Sequence, residues 1–553
     1  MNHVPGSSVA VAASGAAADA VEAHLGSLVE QKFASRLFAQ DHTLWGSAAE
    51  EESAKRLSWV GLARSSRPLV GEIAAIRDDM SSRGLDHVVL CGMGGSSLAP
   101  EVICATAGVP LTVLDSSQPD MVRAAVADRL DRTVVVVSSK SGSTVETDSQ
   151  RRVYEKAFTD AGIDPAERIV VVTDPGSPLD EEARSAGYRV VNADPQVGGR
   201  YSALTAFGLV PSGLAGADVE ALLDEAEAVT DVLAADDDAN PALRLGAALG
   251  GTSPLRNKIV ILAAGSPIVG FADWAEQLIA ESTGKDGTGL LPVVVGSDQD
   301  PEVRWPADDV LLVRLVDDED ESPAADGEAS VSVAGALGAQ LLLWEAATAV
   351  AGRLLGINPF DQPDVESAKQ AARDLLSGGA GGGEAPAFTD GSVEVRALGG
   401  DGGWLGEAKT VDDALRALLD QLRHHGYVAV MAYLDRIADA ALADVRVPLA
   451  LATERPVTFG WGPRFLHSTG QYHKGGAPEG VYLQITTTPR EDLPVPGRDF
   501  TLGDFIAAQA GGDAKVLAEH GRPVLRLHLT DHDEGLAQIM EAVSALRGGG
   551  AGR

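Results

Sequence analysis

Two short loops of this chain carry the glycines and hydroxyl groups that a phosphate site needs. The first, residues 92–97, reads Gly-Met-Gly-Gly-Ser-Ser and separates an apolar run from a helical segment. The second, residues 138–144, reads Ser-Ser-Lys-Ser-Gly-Ser-Thr and follows the apolar run Thr133–Val137. Glycines let the backbone approach an anion, and hydroxyl groups and free N–H groups bind its oxygens. The loops therefore predict phosphate binding; the alternatives are a tight structural turn and a solvated serine-rich loop.

A second set of residues could move protons and stabilise negative charge. Gln277 and Glu281 are four residues apart, so they share one face of a predicted helix that ends before Ser282. A carboxylate that is partly desolvated at a helix end can act as a general base. Arg200 follows Gly199, so its guanidinium can reach into a cleft and stabilise developing charge. A solvated glutamate and an ordinary surface arginine are the alternatives.

Two later segments add further polar groups. Gln362 and Lys369 are seven residues apart and could share a helical face. Residues 464–476 contain two of the eleven histidines, His467 and His473. Because no cysteine or carboxylate ligand set accompanies these histidines, the sequence predicts no metal site.

The elements that must position these residues follow an α/β pattern. Short β-branched runs alternate with helical stretches, which is typical of parallel sheets whose strands are buried on both faces. The predicted strands are His87–Leu90, Leu111–Leu114, Thr133–Val137, Ile169–Thr173, Tyr188–Val191, Ile259–Ala263, Leu290–Val295, Val310–Leu315, Tyr427–Tyr433, Val481–Thr486 and Val524–Leu529. Ligands bind beyond the carboxyl ends of such strands, so we expect the two glycine- and hydroxyl-rich loops to converge.

The chain divides into three predicted regions. Residues 1–80 read as a helical N-terminal segment, and residues 81–240 as a first α/β domain. Residues 241–553 read as a second α/β domain with a Gly-rich linker near 378–384 and a C-terminal extension. The apolar stretch Val331–Ile357 is interrupted by charged and amide side chains, so we expect a long buried helix at about Val333–Leu355 rather than a membrane span.

Composition narrows the classes of function. The 553 residues include 44 Lys and Arg against 80 Asp and Glu, which gives a net charge of −36. Such a surface repels nucleic-acid phosphates and anionic membranes, so neither is an expected partner. The two cysteines, and the absence of a secretory-signal pattern in residues 1–18, predict a cytoplasmic location.

Taken together, these motifs resemble the phosphoglucose isomerase family, which is built of two sugar-isomerase (SIS) domains. The resemblance runs from about Gly92 to Gly476 and implies two doubly wound α/β domains with mainly parallel sheets flanked by helices. In most members the histidine segment precedes the Asn-Pro-Phe-Asp-Gln segment. Here it follows, an order that looks like the isomerase half of transaldolase–isomerase fusions.

The resemblance also implies roles for particular residues. The phosphate ligands would be Ser96, Ser139, Ser141 and Thr144, with Lys140 contributing in the same loop, and Gly95 would belong to the substrate-binding site. Gly199 and Arg200 would lie beside an enediolate, and Glu281 would shuttle a proton between C1 and C2. Gln277 and Gln362 would contact the sugar. His467 and Lys369 would open its ring.

The implied activity is reversible isomerisation of glucose 6-phosphate and fructose 6-phosphate in glycolysis and gluconeogenesis. This chemistry needs no redox cofactor and no metal. The resemblance further implies a homodimer with a shared active site, in which His467 reaches the site from the neighbouring subunit. Two alternatives stay open: a related isomerase that also accepts mannose 6-phosphate, and a non-catalytic sugar-phosphate-binding SIS protein.

Overall fold

Three sheets form the framework of the described part of the chain. The computed structural model describes residues 9–317, 328–377, 385–400 and 403–546. The predicted linker at 378–384 therefore lies outside the described residues. Among the described helices, none is long and apolar enough to cross a membrane.

The N-terminal region is helical, as predicted, apart from one strand. Its elements are β1 (Ala10–Ser14), α1 (Ala16–Glu30), α2 (Phe33–Phe38), α3 (Glu50–Ser53), α4 (Leu62–Ser65) and α5 (Arg67–Ser82). Strand β1 has weak strand-forming residues, and the sequence analysis missed it. Its partner is more than 300 residues away: Ala12 pairs with Ser332 in an antiparallel ladder. Tertiary pairing, rather than local propensity, makes this segment a strand.

The first sheet is fully parallel, in the order β3-β2-β4-β5-β6. Its elements are β2 (His87–Gly92), α6 (Leu98–Ala107), β3 (Thr112–Leu114), α7 (Pro119–Ala127), β4 (Thr133–Ser138), α8 (Val145–Asp160), β5 (Ile169–Thr173), α9 (Pro178–Ser185) and β6 (Arg189–Asn192). All five strands match predicted runs. The central strands β2, β4 and β5 are buried along their whole length, which explains their unbroken valine-rich sequences.

Three helices lead from the first sheet to the second: α10 (Ala206–Ala215), α11 (Val219–Leu233) and α12 (Pro241–Gly250). The second sheet has the order β1-β10-β9-β7-β8 and is parallel except for the edge strand β1. Its further elements are β7 (Lys258–Ala263), α13 (Phe271–Thr283), β8 (Leu291–Val295), α14 (Pro301–Arg304), β9 (Val310–Val316), β10 (Ser330–Ala334), α15 (Leu337–Leu355) and α16 (Pro363–Ser377).

The long buried helix is confirmed, but its predicted start is wrong. Helix α15 begins at Leu337, and residues from Ser330 to Ala334 form strand β10 instead. Gly335, at φ +145°, separates the two elements. The strand and the start of the helix are both buried and apolar, so their hydrophobic patterns run together in the sequence.

A third sheet contains the C-terminal strands, in the order β11-β12-β16-β15-β13-β14. The elements are β11 (Phe388–Asp390), β12 (Val393–Leu398), α17 (Val411–Leu419), β13 (Tyr427–Tyr433), α18 (Arg446–Thr453), β14 (Val457–Trp461), α19 (Gly470–Gly475), β15 (Gly480–Thr487), α20 (Leu502–Glu519), β16 (Val524–Leu529) and α21 (His532–Ala545). Four of its strands are parallel, and β11 and β12 pair antiparallel. The range predicted as one domain plus an extension thus holds two sheets.

Shared apolar cores join the third sheet to the rest of the molecule. Val260 and Leu312 of the second sheet belong to the same buried cluster as Met431 of the third. A smaller cluster packs Val122 and Val153 of the first α/β unit against Leu502 at the start of α20. The third sheet is therefore held against both other units, and its loops can reach a site between them.

Candidate active site

Groups from three parts of the chain that are far apart in sequence meet around Glu281. This carboxylate lies in the last turn of α13 and is 12% exposed. Its Oε1 atom is 3.7 Å from Nη1 of Arg200, whose side chain is only 3% exposed. Nε2 of Gln277, one turn earlier on α13, donates to Oε2 of Glu281 at 3.1 Å. The same Nε2 atom is 2.7 Å from the carbonyl oxygen of His467, which brings the histidine segment to the glutamate.

Arg200 is held by hydrogen bonds from all three of its guanidinium nitrogens. Nε donates to Oγ of Ser282 at 2.8 Å, and Nη1 donates to Oε1 of Gln362 at 2.6 Å. Nη2 donates to the carbonyl oxygens of Pro359 and Asp361 at 2.8 and 3.1 Å. All four of these acceptor groups are uncharged, and the carboxylate that pairs with the guanidinium is that of Glu281, at 3.7 Å. The guanidinium is thus fixed in direction and keeps its positive charge beside Glu281.

The imidazole of His467 contacts a second carboxylate. Its Nε2 atom is 3.1 Å from Oε1 of Glu146, which lies in the first turn of α8 directly after the serine-rich loop. The same oxygen accepts from Nε2 of Gln509 on α20 at 2.7 Å, and Oγ of Ser117 donates to Oε1 of Gln509. The ring therefore has a defined orientation, set by residues of the first and third sheets.

The predicted phosphate loops lie next to this cluster. A Cβ atom at Gly95 would come within 1.9 Å of the carbonyl oxygen of Gly199, so only glycine allows the two loops to touch. Gly94, at φ +55°, faces Gln277 and His467 in the same way. In the serine-rich loop, Oγ of Ser139 donates to Oγ1 of Thr144 at 3.1 Å.

The remaining loop residues are placed as follows. Ser96 is half-buried in a 3₁₀ turn, and Oγ of Ser141 contacts Oγ of Ser143 at 2.7 Å. Lys140 points elsewhere, because its Nζ atom pairs with Oδ2 of Asp174 at 2.6 Å. The loop thus offers hydroxyl and backbone groups, while the Lys140 charge is already paired.

The amino-acid sequence is similar to those of two archaeal proteins. The chain is 33% identical to the "Probable glucose-6-phosphate isomerase" of Natronomonas pharaonis over 375 residues, which cover 59% of this chain and 86% of that protein. The protein of the same name from Haloarcula marismortui is also 33% identical, over 53% of this chain and 78% of that protein. The chain belongs to the glucose-6-phosphate isomerase family.

Solved structures agree with this membership at the level of fold. A glucose-6-phosphate isomerase from Chlamydia trachomatis superposes with a TM-score of 0.51 at 19% identity, covering 65% of this chain and 86% of that one. The hypothetical protein TT0462 of Thermus thermophilus superposes at 0.58 with 26% identity, over 66% of this chain and all of that one. No protein-family model matches the chain. The predicted fold class, parallel α/β sheets flanked by helices, is confirmed.

Two further polar side chains, those of Lys285 and Gln471, bind the segment that follows α15, residues 358–364. Nζ of Lys285 donates to the carbonyl oxygens of Asn358 and Asp361 and pairs with the Asp361 carboxylate at 2.6 Å. Burial, and then the charge of Arg200, lower the pKa of Lys285 to about 8. Oε1 of Gln471 accepts from the backbone nitrogen of Asp364 at 3.0 Å. The histidine segment therefore packs on the Asn-Pro-Phe-Asp-Gln segment although it lies about a hundred residues later.

The structure brings most of the predicted residues together. Glu281, Gln277, Arg200, Gln362 and His467 form one connected cluster, with Gly95 and Gly199 in contact beside it. The side chain of Lys369 lies outside the described residues. Sequence reasoning missed Glu146, Ser282, Gln471 and Gln509. Ser282 and Gln471 stand within segments that the sequence analysis singled out, and Glu146 lies in the first helical turn after the serine-rich loop, so these three carried a signal in the sequence.

The position of His467 differs from the one that the resemblance implies. His467 was expected to reach the active site from a neighbouring subunit. Instead its carbonyl oxygen and its ring bond to Gln277 and Glu146 of its own chain. The third sheet makes this possible, because it carries the histidine segment between β14 and α19 and packs on both other units.

Proposed function

We propose that the chain isomerises glucose 6-phosphate and fructose 6-phosphate through an enediolate, as a step shared by glycolysis and gluconeogenesis. Membership of the family supports the reaction class. The observation that carries the proposal is the position of Glu281, 3.7 Å from a fully hydrogen-bonded Arg200 and joined through Gln277 to His467. A base, a fixed cation and an acid–base group are what ring opening followed by proton transfer requires.

The proposed reaction has two stages. His467 gives a proton to the ring oxygen while the C1 hydroxyl loses one to water, so that the bond between C1 and the ring oxygen breaks and the aldehyde forms. Glu281 then takes the proton from C2, which leaves an enediolate with its negative charge on O1. A proton passes from the hydroxyl on C2 to O1, and Glu281 returns its own proton to C1, which makes C2 the ketone carbon. Arg200 stabilises the negative oxygen of that intermediate, and the same steps in reverse order form the aldose. The proton taken from carbon is the one given back, so no cofactor or metal takes part.

We assign the phosphate group of the substrate to the two glycine- and hydroxyl-rich loops. Ser96, Ser139, Ser141 and Thr144 supply hydroxyl groups, and the backbone at Gly94–Ser96 approaches closely because glycines stand there. Lys140 lies in the same loop, but Asp174 binds its ammonium group, so the hydroxyl and backbone groups carry the proposed phosphate binding. Binding energy at this group orients C1 and C2 against Glu281.

A coupled assay tests the proposal. The full chain is given fructose 6-phosphate, and glucose 6-phosphate is detected. Glu281→Gln should lower kcat roughly 10²–10⁴-fold, the usual contribution of a positioned base, because the amide keeps the shape but cannot take a proton. Glu541→Gln, a change of the same type on the exposed surface of α21, is the matched control.

The two open alternatives predict different results. A non-catalytic sugar-phosphate-binding protein would bind fructose 6-phosphate without turnover, and Glu281→Gln would then change nothing in the assay. A broader isomerase would also convert mannose 6-phosphate, with the same dependence on Glu281. Turnover of Glu281→Gln close to that of the unmodified chain would refute the mechanism.

A further inference from the structure

A cluster of two histidines and one aspartate joins the second sheet to the third. Asp308 lies in the turn before β9, and His424 and His425 precede β13. One ligand atom from each of the three side chains lies within 4.8 Å of the others. Nε2 of His425 is 3.5 Å from Oδ2 of Asp308, and the rings of His424 and His425 are 4.7 Å apart between centroids. All three side chains are exposed, and none belongs to the candidate active site.

A buried lysine holds the turn before β9 close to the segment that precedes β13. Lys258, at the start of β7, is fully buried, and its Nζ atom pairs with Oδ2 of Asp309 at 2.9 Å. The same Nζ atom donates to the carbonyl oxygen of His425 at 2.6 Å. One ammonium group thus anchors the immediate neighbour of Asp308 and the backbone of His425. The backbone segments that carry Asp308 and His425 are therefore held close together by a buried contact.

We propose that Asp308, His424 and His425 bind a transition-metal dication of the zinc class and so tie the second sheet to the third. Two imidazole nitrogens and a carboxylate oxygen form a common ligand set for such ions. Tetrahedral coordination needs ligand atoms about 3.3 Å apart, which small rotations of exposed side chains supply. The net charge of −36 raises the local concentration of cations.

This site was not predicted from the sequence. Asp308 and the His-His pair are more than a hundred residues apart in the chain, and only the packing of the second sheet against the third brings them together.

The neighbouring groove supplies a reporter for binding. Asp308 and His424 line a cavity of about 630 Å³ together with Trp305, whose side chain is 69% exposed. A paramagnetic ion such as Co²⁺ quenches the fluorescence of a nearby indole. Quenching that disappears in Trp305→Phe would place the ion at this groove.

The experiment titrates the full chain, without an affinity tag and freed of metal, with zinc chloride at pH 7.5 in a calorimeter. We expect one equivalent bound in the micromolar range or tighter, together with a higher Tm. Asp308→Asn and His425→Ala should each weaken binding at least roughly tenfold. His42→Ala, which removes an exposed histidine in the N-terminal region, should bind as the unmodified chain does. Binding should also weaken at pH 5.5, where imidazoles are protonated.

Two results would overturn the proposal. One is the absence of a binding isotherm for zinc and of Trp305 quenching by Co²⁺. The other is an equal affinity for zinc in the unmodified chain and in Asp308→Asn and His425→Ala, which would place the ion elsewhere on the acidic surface. Circular dichroism of each variant separates loss of the site from loss of the fold.

Discussion

At the scale of single residues, the candidate site depends on the hydrogen bonds that fix the orientation of each charged or ionisable side chain. Arg200 donates hydrogen bonds to the side chains of Ser282 and Gln362 and to two carbonyl oxygens, and these neutral partners leave its charge available to a substrate. His467 is oriented by Glu146, which Gln509 orients in turn. Such secondary contacts keep reactive groups in place before the substrate arrives and so reduce the cost of reaching the transition state.

The role of His467 can be separated from that of Glu281 by the choice of substrate. A four-carbon aldose 4-phosphate cannot close a ring, because its only suitable hydroxyl is phosphorylated. We expect His467→Ala to slow the isomerisation of glucose 6-phosphate by roughly 10²–10⁴-fold while leaving turnover of the acyclic sugar within a small factor. Glu281→Gln should slow both reactions. Equal losses on both substrates in His467→Ala would assign the histidine to proton transfer at carbon rather than to ring opening.

The carboxyl group of Glu276 should make the stability of the fold depend on pH. Burial, with the negative charge of Asp273, raises the pKa of its carboxyl group to about 8, while Oγ of Ser468 donates to it at 3.2 Å. The folded chain therefore holds a proton there that the unfolded chain releases near pH 4.5. The stabilising contribution of this proton is complete below pH 4.5 and is lost as the pH rises towards 8.

Glu276→Gln replaces the carboxyl group with an amide of similar shape, which is uncharged at every pH. Its free energy of unfolding, relative to the unmodified chain, should therefore increase from pH 5 to pH 8 and then level off. Urea unfolding at pH 5, 6, 7 and 8 measures this difference, and Glu541→Gln should show none of it. Parallel curves for Glu276→Gln and the unmodified chain would mean that the Glu276 carboxyl is ionised in the folded state at neutral pH.

At the scale of elements, the site is made where loops from different strands approach at backbone distance. The turn after β2 touches the 3₁₀ turn at Gly199–Tyr201 through Gly95, and it faces α13 and the histidine segment through Gly94. Helix α13 ends at Thr283, so Glu281 and Ser282 reach Arg200 from its last turn. Each loop or helix supplies one or two side chains to the site. The contacts between these elements fix the relative positions of the side chains.

Gly95→Ala tests this close approach. The added methyl group would lie 1.9 Å from the carbonyl oxygen of Gly199, so the turn after β2 and the Arg200 loop must move apart. We expect a loss of kcat/KM of roughly tenfold or more and a lower Tm. Gly71→Ala, on helix α5 where a methyl group meets nothing within 4 Å, should keep full activity and gain about 0.5–1 kcal/mol of stability. Full activity in Gly95→Ala would show that the contact is dispensable.

At the scale of the whole molecule, the third sheet places the histidine segment in the active site of its own chain. In a dimer with shared sites, co-expressed Glu281→Gln and His467→Ala chains would form mixed dimers with one intact site, and about a quarter of the activity would return. We expect no such recovery, because Gln277 and Glu146 of the same chain hold His467. The homodimer itself stays a prediction, and sedimentation at assay concentrations measures it. Recovery of activity in the mixture would show that the site is shared.

The sequence by itself determined the parallel α/β character and indicated most residues of the candidate site. Strands such as Thr133–Ser138 are buried on both faces, so their unbroken apolar runs are visible locally, and glycine, hydroxyl and carboxylate motifs are short enough to read directly. Only the tertiary structure decided what depends on distant partners. Strand β1 exists because β10 pairs with it, and the third sheet forms a unit of its own. The histidine segment reaches Gln277, one turn from Glu281, within one chain because burial of apolar surface between sheets brings their loops together, and no local pattern encodes that burial.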